Sequence, residues 1–288
     1  MEKKLVRFYS PVVLGLLLPP LAVNAQSDGF TRIDFPGAQG TSAWGINDVG
    51  QISGSYRLPG LAGNGFLLDT DFTAIAFPGA RATAVHKINN ASQLVGHYGE
   101  EGTNNAHGFL WDAGDFFSFD YPGAIITIAY GINDLGQIVG YWNEEFGAQE
   151  AFLLDGDQFR LIAVPGGFYT RAYGINNAGQ VVGSFYRSDF RLHGFLLDGD
   201  VYTVIDFPDS IETVAYDIND AGQIVGTWRE PSGIYHGYVM DQNGRHDIDL
   251  PDAAITWPFA SNNEGQIVGW YQTLSGAEHG FLLDMKQP

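Results

Sequence analysis

The sequence predicts an all-β fold, a six-bladed β-propeller with four antiparallel strands in each blade. Three observations lead there: a string written six times at even spacing, four strand-like stretches inside each copy, and a chain start that supplies the strand the last copy lacks.

The string is plainest at AYGINDLGQIVGYW (129–142), AYGINNAGQVVGSF (172–185) and AYDINDAGQIVGTW (215–228). Its glutamine returns as Gln51, Gln93, Gln137, Gln180, Gln223 and Gln266, a period of about 43 residues. A second anchor keeps the same period: Asn64, His107, Glu150, His193, His236 and His279. Within a copy, a run such as TVAYDIN (213–219) is followed by a D-A-G turn and then QIVGTW (223–228). After a loop of variable composition comes a string such as HGFLLD (193–198), a G-D turn and VYTVIDFP (201–208). Aromatic and β-branched residues fill these runs, and Gly, Asn, Asp and Pro punctuate them, as hairpin strands require. Asn, Asp and Gly tolerate the positive φ of tight hairpin turns. No window carries a sustained 3.6-residue apolar period, so helices should be nearly absent. Four short strands in a unit of this length match one propeller blade.

The ends fix the arrangement. The sixth copy stops after HGFLLD (279–284), without a fourth strand, while GFTRIDFPGA (29–38) stands unattached at the other end. If residues 29–38 complete the last blade, the ring closes and no sheet edge is left open.

The first residues read MEKKLVRFYSPVVLGLLLPPLAVNA, with Lys3, Lys4 and Arg7 before an apolar run and a small-residue site at Val23-Asn24-Ala25. That is the pattern of a secretory signal peptide (1–25) cut after Ala25, leaving a single domain over 26–288 that is secreted or periplasmic. A membrane anchor is the alternative, but Pro19-Pro20 breaks the run short of the roughly 20 apolar residues that span a bilayer. The chain has a formal charge of −19, and removing the leader leaves the rest more acidic still. Such a chain lacks the cationic field that phosphate backbones and anionic membranes need, so neither nucleic acid nor a membrane is an expected partner. With no cysteine, an exported fold must hold without disulfides. A monomer is expected.

Chain order places the A-Y-G-I-N strand innermost, beside the channel, and the N-terminal strand outermost. The F-P-G-A segments share one rim with the loops between second and third strands; the N-D-x-G and D-G-D turns crowd the other. The combination G-I-N-x-x-G-Q-[IV]-V-G and H-G-F-L resembles the HAF-type extracellular repeat family of exported bacterial proteins. The resemblance spans all six copies, with His-Gly-Phe at 107–109, 193–195 and 279–281, His236-Gly237-Tyr238 as a variant, and Asn64 and Glu150 in the histidine place. It implies export and repetition and brings no catalytic residues.

Four sets of residues are candidates for chemistry. The histidine ring could ligate metal, but one residue per blade spreads it too widely for one ion; a repeated hydrogen bond from each imidazole to loop backbone is the preferred reading, and no metal or cofactor is expected. Six aromatics follow the second-strand glycine: Tyr56, Tyr98, Trp142, Phe185, Trp228 and Tyr271. They form either a stacking platform for sugar or peptide or inter-blade packing. With Arg57, Arg187 and Arg229 on the loop rim they make up the ligand-binding candidates, Phe185 aside. Asp48, Asp134 and Asp220, and the pairs Asp155/Asp157 and Asp198/Asp200, read as turn formers, since no calcium-loop motif accompanies them.

The most informative positions are those where copies disagree. Two residues before the repeat asparagine the copies read Gly45, Lys87, Gly131, Gly174, Asp217 and Ala260. One earlier, His86 replaces the aromatics Trp44, Tyr130, Tyr173, Tyr216 and Phe259. Charge beside a narrow channel is costly unless paired or wet, so His86, Lys87 and Asp217 are the catalytic candidates, set against plain repeat drift. No G-x-S-x-G, H-E-x-x-H or P-loop occurs. The function expected is therefore a non-catalytic exported scaffold that binds a glycan or protein ligand. A hydrolase or lyase acting on glycans or lactones at the central channel is the alternative.

Overall fold

The computed structural model describes residues 6–8, 29–145, 147–208 and 210–286. Every element among them is a strand, and no helix is long and apolar enough to cross a membrane. The signal-peptide reading of 1–25 lies outside the described residues except for the short strand Val6–Phe8, whose backbone pairs with Asp115–Phe119.

The strands form four-stranded antiparallel meanders, one per sequence repeat, arranged as a propeller. Repeat five runs Glu212–Ile218, Ile224–Arg229, Tyr235–Asp241 and Gly244–Ile248, each strand paired with the next. Repeat six has Ala253–Ser261, Gln266–Thr273 and Glu278–Asp284. Its fourth strand is Phe30–Ile33, in register Phe30↔Leu283 through Ile33↔Gly280. The expected completion by the N-terminal strand is present at the level of backbone pairing.

Among the described residues, apolar side chains gather in six clusters, and each spans two neighbouring repeats. One joins Val225, Val239 and Ile248 of repeat five to Phe30, Ile267 and Phe281 of repeat six. Another joins Val139 and Ile162 to Ala172, Phe185 and Phe195. A third carries Ile33, Phe35, Ala260 and Val268 onto Ala43, Ile46 and Phe66 of repeat one. The inner strands of each repeat are covered on both faces and read as near-continuous apolar runs, whereas outer strands such as Gly244–Ile248 are mostly exposed.

The second-strand glycine has a packing reason. A Cβ on Gly226 would collide with the Val214 carbonyl, and opposite it the inner strand shifts register between Ala215 and Asp217. The same shift falls between Ala43 and Gly45, Ala129 and Gly131, and Ala172 and Gly174. The bulged residues are Trp44, Tyr130, Tyr173 and Tyr216. A bulge re-aims a side chain, and here it puts one aromatic per repeat against the axis.

Candidate functional site

Along the axis the channel is filled in layers. On the loop-rim side the bulged rings meet in a closed circuit: Trp44 contacts His86 (5.3 Å), His86 stacks on Tyr130 (4.4 Å), and Tyr130 meets Tyr173 (4.9 Å). The circuit runs on through Tyr216 (5.3 Å) and Phe259 (5.2 Å) and returns to Trp44 (3.9 Å). His86 is thus the repeat-two member of an aromatic layer. Its Nδ1 lies 2.7 Å from the Ala129 carbonyl, to which it donates. Burial, with His97 and Lys87 nearby, drives its pKa down to about 3 against the pull of that carbonyl, so the imidazole is neutral at physiological pH.

One layer on, Lys87 and Asp217 span the ring and meet. Lys87 Nζ lies 2.9 Å from Asp217 Oδ2 and donates to the Phe259 carbonyl at 2.7 Å. Asp217 Oδ2 also accepts the Ser261 N–H. Burial lowers the Lys87 pKa, and Asp217 opposes that shift. Gly45 and Gly174 make the room: a Cβ on either would sit against the Cα of Lys87 or Asp217. Lys87 and Asp217 line a cavity of about 70 Å³ toward the turn rim, and His86 does not. The three catalytic candidates therefore share no cavity. Two neutralise each other, and the third belongs to the aromatic layer.

The turn rim encircles the mouth of the channel. Asn47 Nδ2 donates to the Asn89 carbonyl, and the pattern passes through Asn133, Asn176, Asn219 and Asn262 back to Asn47. Outside it, Asp48, Asn90, Asp134, Asn177, Asp220 and Asn263 alternate. Each Asn amide nitrogen bridges two Asp Oδ2 atoms at 2.8–3.2 Å. The aspartates read as turn formers are thus also members of an inter-repeat ring. Among the described residues no group of acidic, His or Cys side chains is arranged to hold a metal.

The histidines bond carboxylates rather than loop backbone, which corrects the sequence expectation. Nδ1 faces Asp120 in His107 (2.9 Å), Asp206 in His193 (2.9 Å), Asp249 in His236 (2.9 Å) and Asp34 in His279 (2.8 Å). The aspartate precedes the F-P, Y-P or L-P that follows each outer strand. Repeats one and three have Asn64 and Glu150 in the histidine place, and Ala76 and Ala163 in the aspartate place. Both partners are lost together, a signal readable in the sequence that the histidine column alone concealed. Burial works against a charged His236, but hydrogen bonds to Asp249 and Glu230 outweigh it and raise its pKa.

The second-strand aromatics do not form one platform: most pack against the preceding repeat, and Trp228 lines a rim cavity. Tyr56 stacks on Phe35 (3.5 Å), Tyr98 on Phe77 (3.6 Å) and Trp142 on Tyr121 (4.0 Å). Each partner is the aromatic before or in the preceding loop. Phe185 and Tyr271 are buried, and Trp228 is held between His236 (4.7 Å) and Arg245 (4.4 Å). Of the arginines, Arg57 reaches Glu278 (3.4 Å), Arg187 lies over Phe185, and Arg229 pairs with Glu212 (3.4 Å).

The loop rim holds the open features. A cleft of about 270 Å³ runs between repeats four and five, past Asp189, Arg191, His193 and Asp206. Beside it a smaller cavity of about 110 Å³ is walled by Tyr216, Trp228, Tyr235 and Trp257, with Glu212 and Thr227 as polar groups. On repeat four, Tyr169 and Phe190 stand exposed around Phe168. Both have left-handed backbone, φ 51° and 57°; that conformation costs about 1–2 kcal/mol for a residue with a Cβ and concentrates at functional sites. Sequence reasoning passed over Glu212, Tyr235, Trp257, Tyr169 and Phe190. The signal for Trp257 was present: the same position reads Ser42, Ala84, Ile128, Arg171 and Val214 in the other repeats.

No protein-family profile and no curated protein matches the chain. Solved structures do. The β-propeller domain of the Trilobed protease from Pyrococcus furiosus, described as having an open velcro topology, is 13% identical over 89% of this chain and 85% of that one, with a TM-score of 0.55. TolB from Acinetobacter baumannii is 13% identical over 82% of this chain and 64% of its own, with a TM-score of 0.55. The lectin of Aleuria aurantia, a six-bladed propeller with a fucose recognition mode, is 11% identical over 86% and 92%, with a TM-score of 0.51. At these identities the likeness shows the fold, and the chain is an all-β protein of the propeller class.

Proposed function

We propose that this chain is a six-bladed propeller whose ring is closed by residues 29–38, and that it is an exported, non-catalytic scaffold binding a glycan or protein partner on its loop rim. One observation carries the reading: the channel is crossed by an aromatic circuit and the Lys87–Asp217 pair, while the larger clefts and the exposed aromatics lie on the loop rim. The hydrogen-bond circuits that return from Asn262 to Asn47 and from Asn263 to Asp48 support closure at six repeats. The resemblance to HAF-type repeats and the leader at 1–25 support export. The solved propellers add that this fold carries fucose recognition in one lectin.

The test is a glycan array and an affinity capture with the protein cut after Ala25, run beside a Phe190→Ala/Tyr169→Ala rim variant. Binding that the rim variant weakens supports the reading. Turnover of a glycan or lactone that disappears in Lys87→Met would overturn it in favour of channel catalysis, and so would an array and a capture that both come back empty.

A further inference from the structure

The cavity over repeat five is built differently from its counterparts. Its walls are Tyr216, Trp228, Tyr235 and Trp257, and Glu212 and Thr227 supply the polar groups. Three of these depart from the repeat pattern at one interface. Where repeat five has Glu212, repeats one to three have Gly40, Ala82 and Ile126; where it has Tyr235, repeats two, four and six have Ala106, Leu192 and Glu278. Trp257 alone puts an indole where the other repeats hold Ser42, Ala84, Ile128, Arg171 and Val214. Residues that every repeat needs are architecture; these are not.

We propose that this cavity takes the ring of a neutral sugar, an inference that rests on the rim-binding reading and names its ligand class. A pocket with mostly aromatic walls and few convergent polar groups is the usual form of a small-molecule site. Aromatic walls with a carboxylate would ordinarily favour an ammonium ion. Here the cationic place is taken: Arg229 lies 5.0 Å over the Tyr235 ring and 3.4 Å from Glu212 Oε1. Glu212 Oε2 accepts the Tyr235 hydroxyl at 2.8 Å. With its charge compensated, Glu212 keeps lone pairs for hydroxyl donors without calling for a cation. An anion would approach against the field of a chain of formal charge −19. A ligand is therefore wanted that donates hydroxyl hydrogens, carries no net charge and offers an apolar face to a ring. A pyranose meets all three conditions.

The experiment titrates methyl glycosides of neutral hexoses, 6-deoxyhexoses and pentoses into the protein, followed by saturation-transfer NMR and tryptophan fluorescence. Glucosamine and glucuronate serve as charged probes. The variants are Trp257→Val, which installs the side chain of repeat five, and the isosteric Glu212→Gln, with Leu135→Ala as an exposed change on the turn rim. At least one neutral glycoside should bind, tenfold or more weakly in Trp257→Val and several-fold more weakly in Glu212→Gln, with Leu135→Ala unchanged. Thermal unfolding checks that each variant is folded, and Glu212→Gln decides if Trp257→Val is not. Glycoside binding that survives both cavity variants overturns the site but leaves rim binding standing. Preference for glucosamine overturns the neutral-ligand assignment, and so does the absence of binding by every neutral glycoside. A captured protein partner in that last case would show that rim binding survives without the sugar.

Discussion

Changing Lys87 to methionine would leave Asp217 in the middle of the ring with only the Ser261 N–H as a partner. The two side chains are 10% and 13% exposed, so little water can take over. Removing one member of a buried ion pair costs about 3–5 kcal/mol, because an uncompensated charge stays behind. At roughly 2–4 °C per kcal/mol, the melting temperature should fall by roughly 6–20 °C. Asp217→Ala should cost a similar amount by stranding the ammonium, which would keep only the Phe259 carbonyl at 2.7 Å. The double variant Lys87→Met/Asp217→Ala strands neither, so it should lose clearly less than the sum, with a coupling of about 3 kcal/mol, the upper end for residues in direct contact. The assay is a double-mutant cycle by denaturant unfolding. If the single costs add in the double variant, or if each is under about 1 kcal/mol, the range of surface pairs, the pair is wet and independent. The claim that the channel is plugged would then fail.

Two further predictions concern the other repeat departures. His86 is held neutral, with its pKa lowered to about 3 chiefly by burial, and His97 to about 4 for the same reason. Unfolding frees both to bind protons near the ordinary 6.5, so stability is full above that pH, falls as pH drops through it, and stops falling only below about 4 for His97 and about 3 for His86. At pH 5 each costs about 2 kcal/mol, from 1.36 kcal/mol per pH unit. His86→Phe should lose about 1 kcal/mol at pH 8 with its hydrogen bond, yet show roughly half the wild-type decline between pH 8 and 5 in thermal unfolding; an unchanged decline would rule out His86 as its source. In repeat one, Asn64→His with Ala76→Asp should rebuild the His–Asp pair and couple favourably by about 0.2–1 kcal/mol in a denaturation cycle. No coupling there would mean that the paired losses at Ala76 and Ala163 have another cause.

The propeller was legible because its information is local and repeated. Each hairpin turn, each strand and each second-strand glycine sits within one period, so comparing six copies isolates what backbone pairing requires. Even the histidine–aspartate pairs were written in the repeats, thirteen residues apart as in His193 and Asp206, once the columns are compared together rather than one at a time. The inner bulge was not legible, since a residue that skips the ladder looks in sequence like any strand residue. Its consequence, the aromatic circuit, could not be foreseen either.

The sequence by itself determined the repeat, the strand order within it and the positions where copies depart from one another. Only the tertiary structure decided what those departures mean. Lys87 and Asp217 looked like candidate catalytic groups because a charge read alone beside a channel has no visible partner; circling the chain brings them to 2.9 Å, with a carbonyl 172 residues away completing the contact. Tyr56, Tyr98 and Trp142 of the second strand looked available for the same reason, until an aromatic of the preceding repeat stacked on each. In this propeller each repeat is buried by its neighbours, so the exposure of a side chain, and with it any role in binding, is set by the repeat beside it.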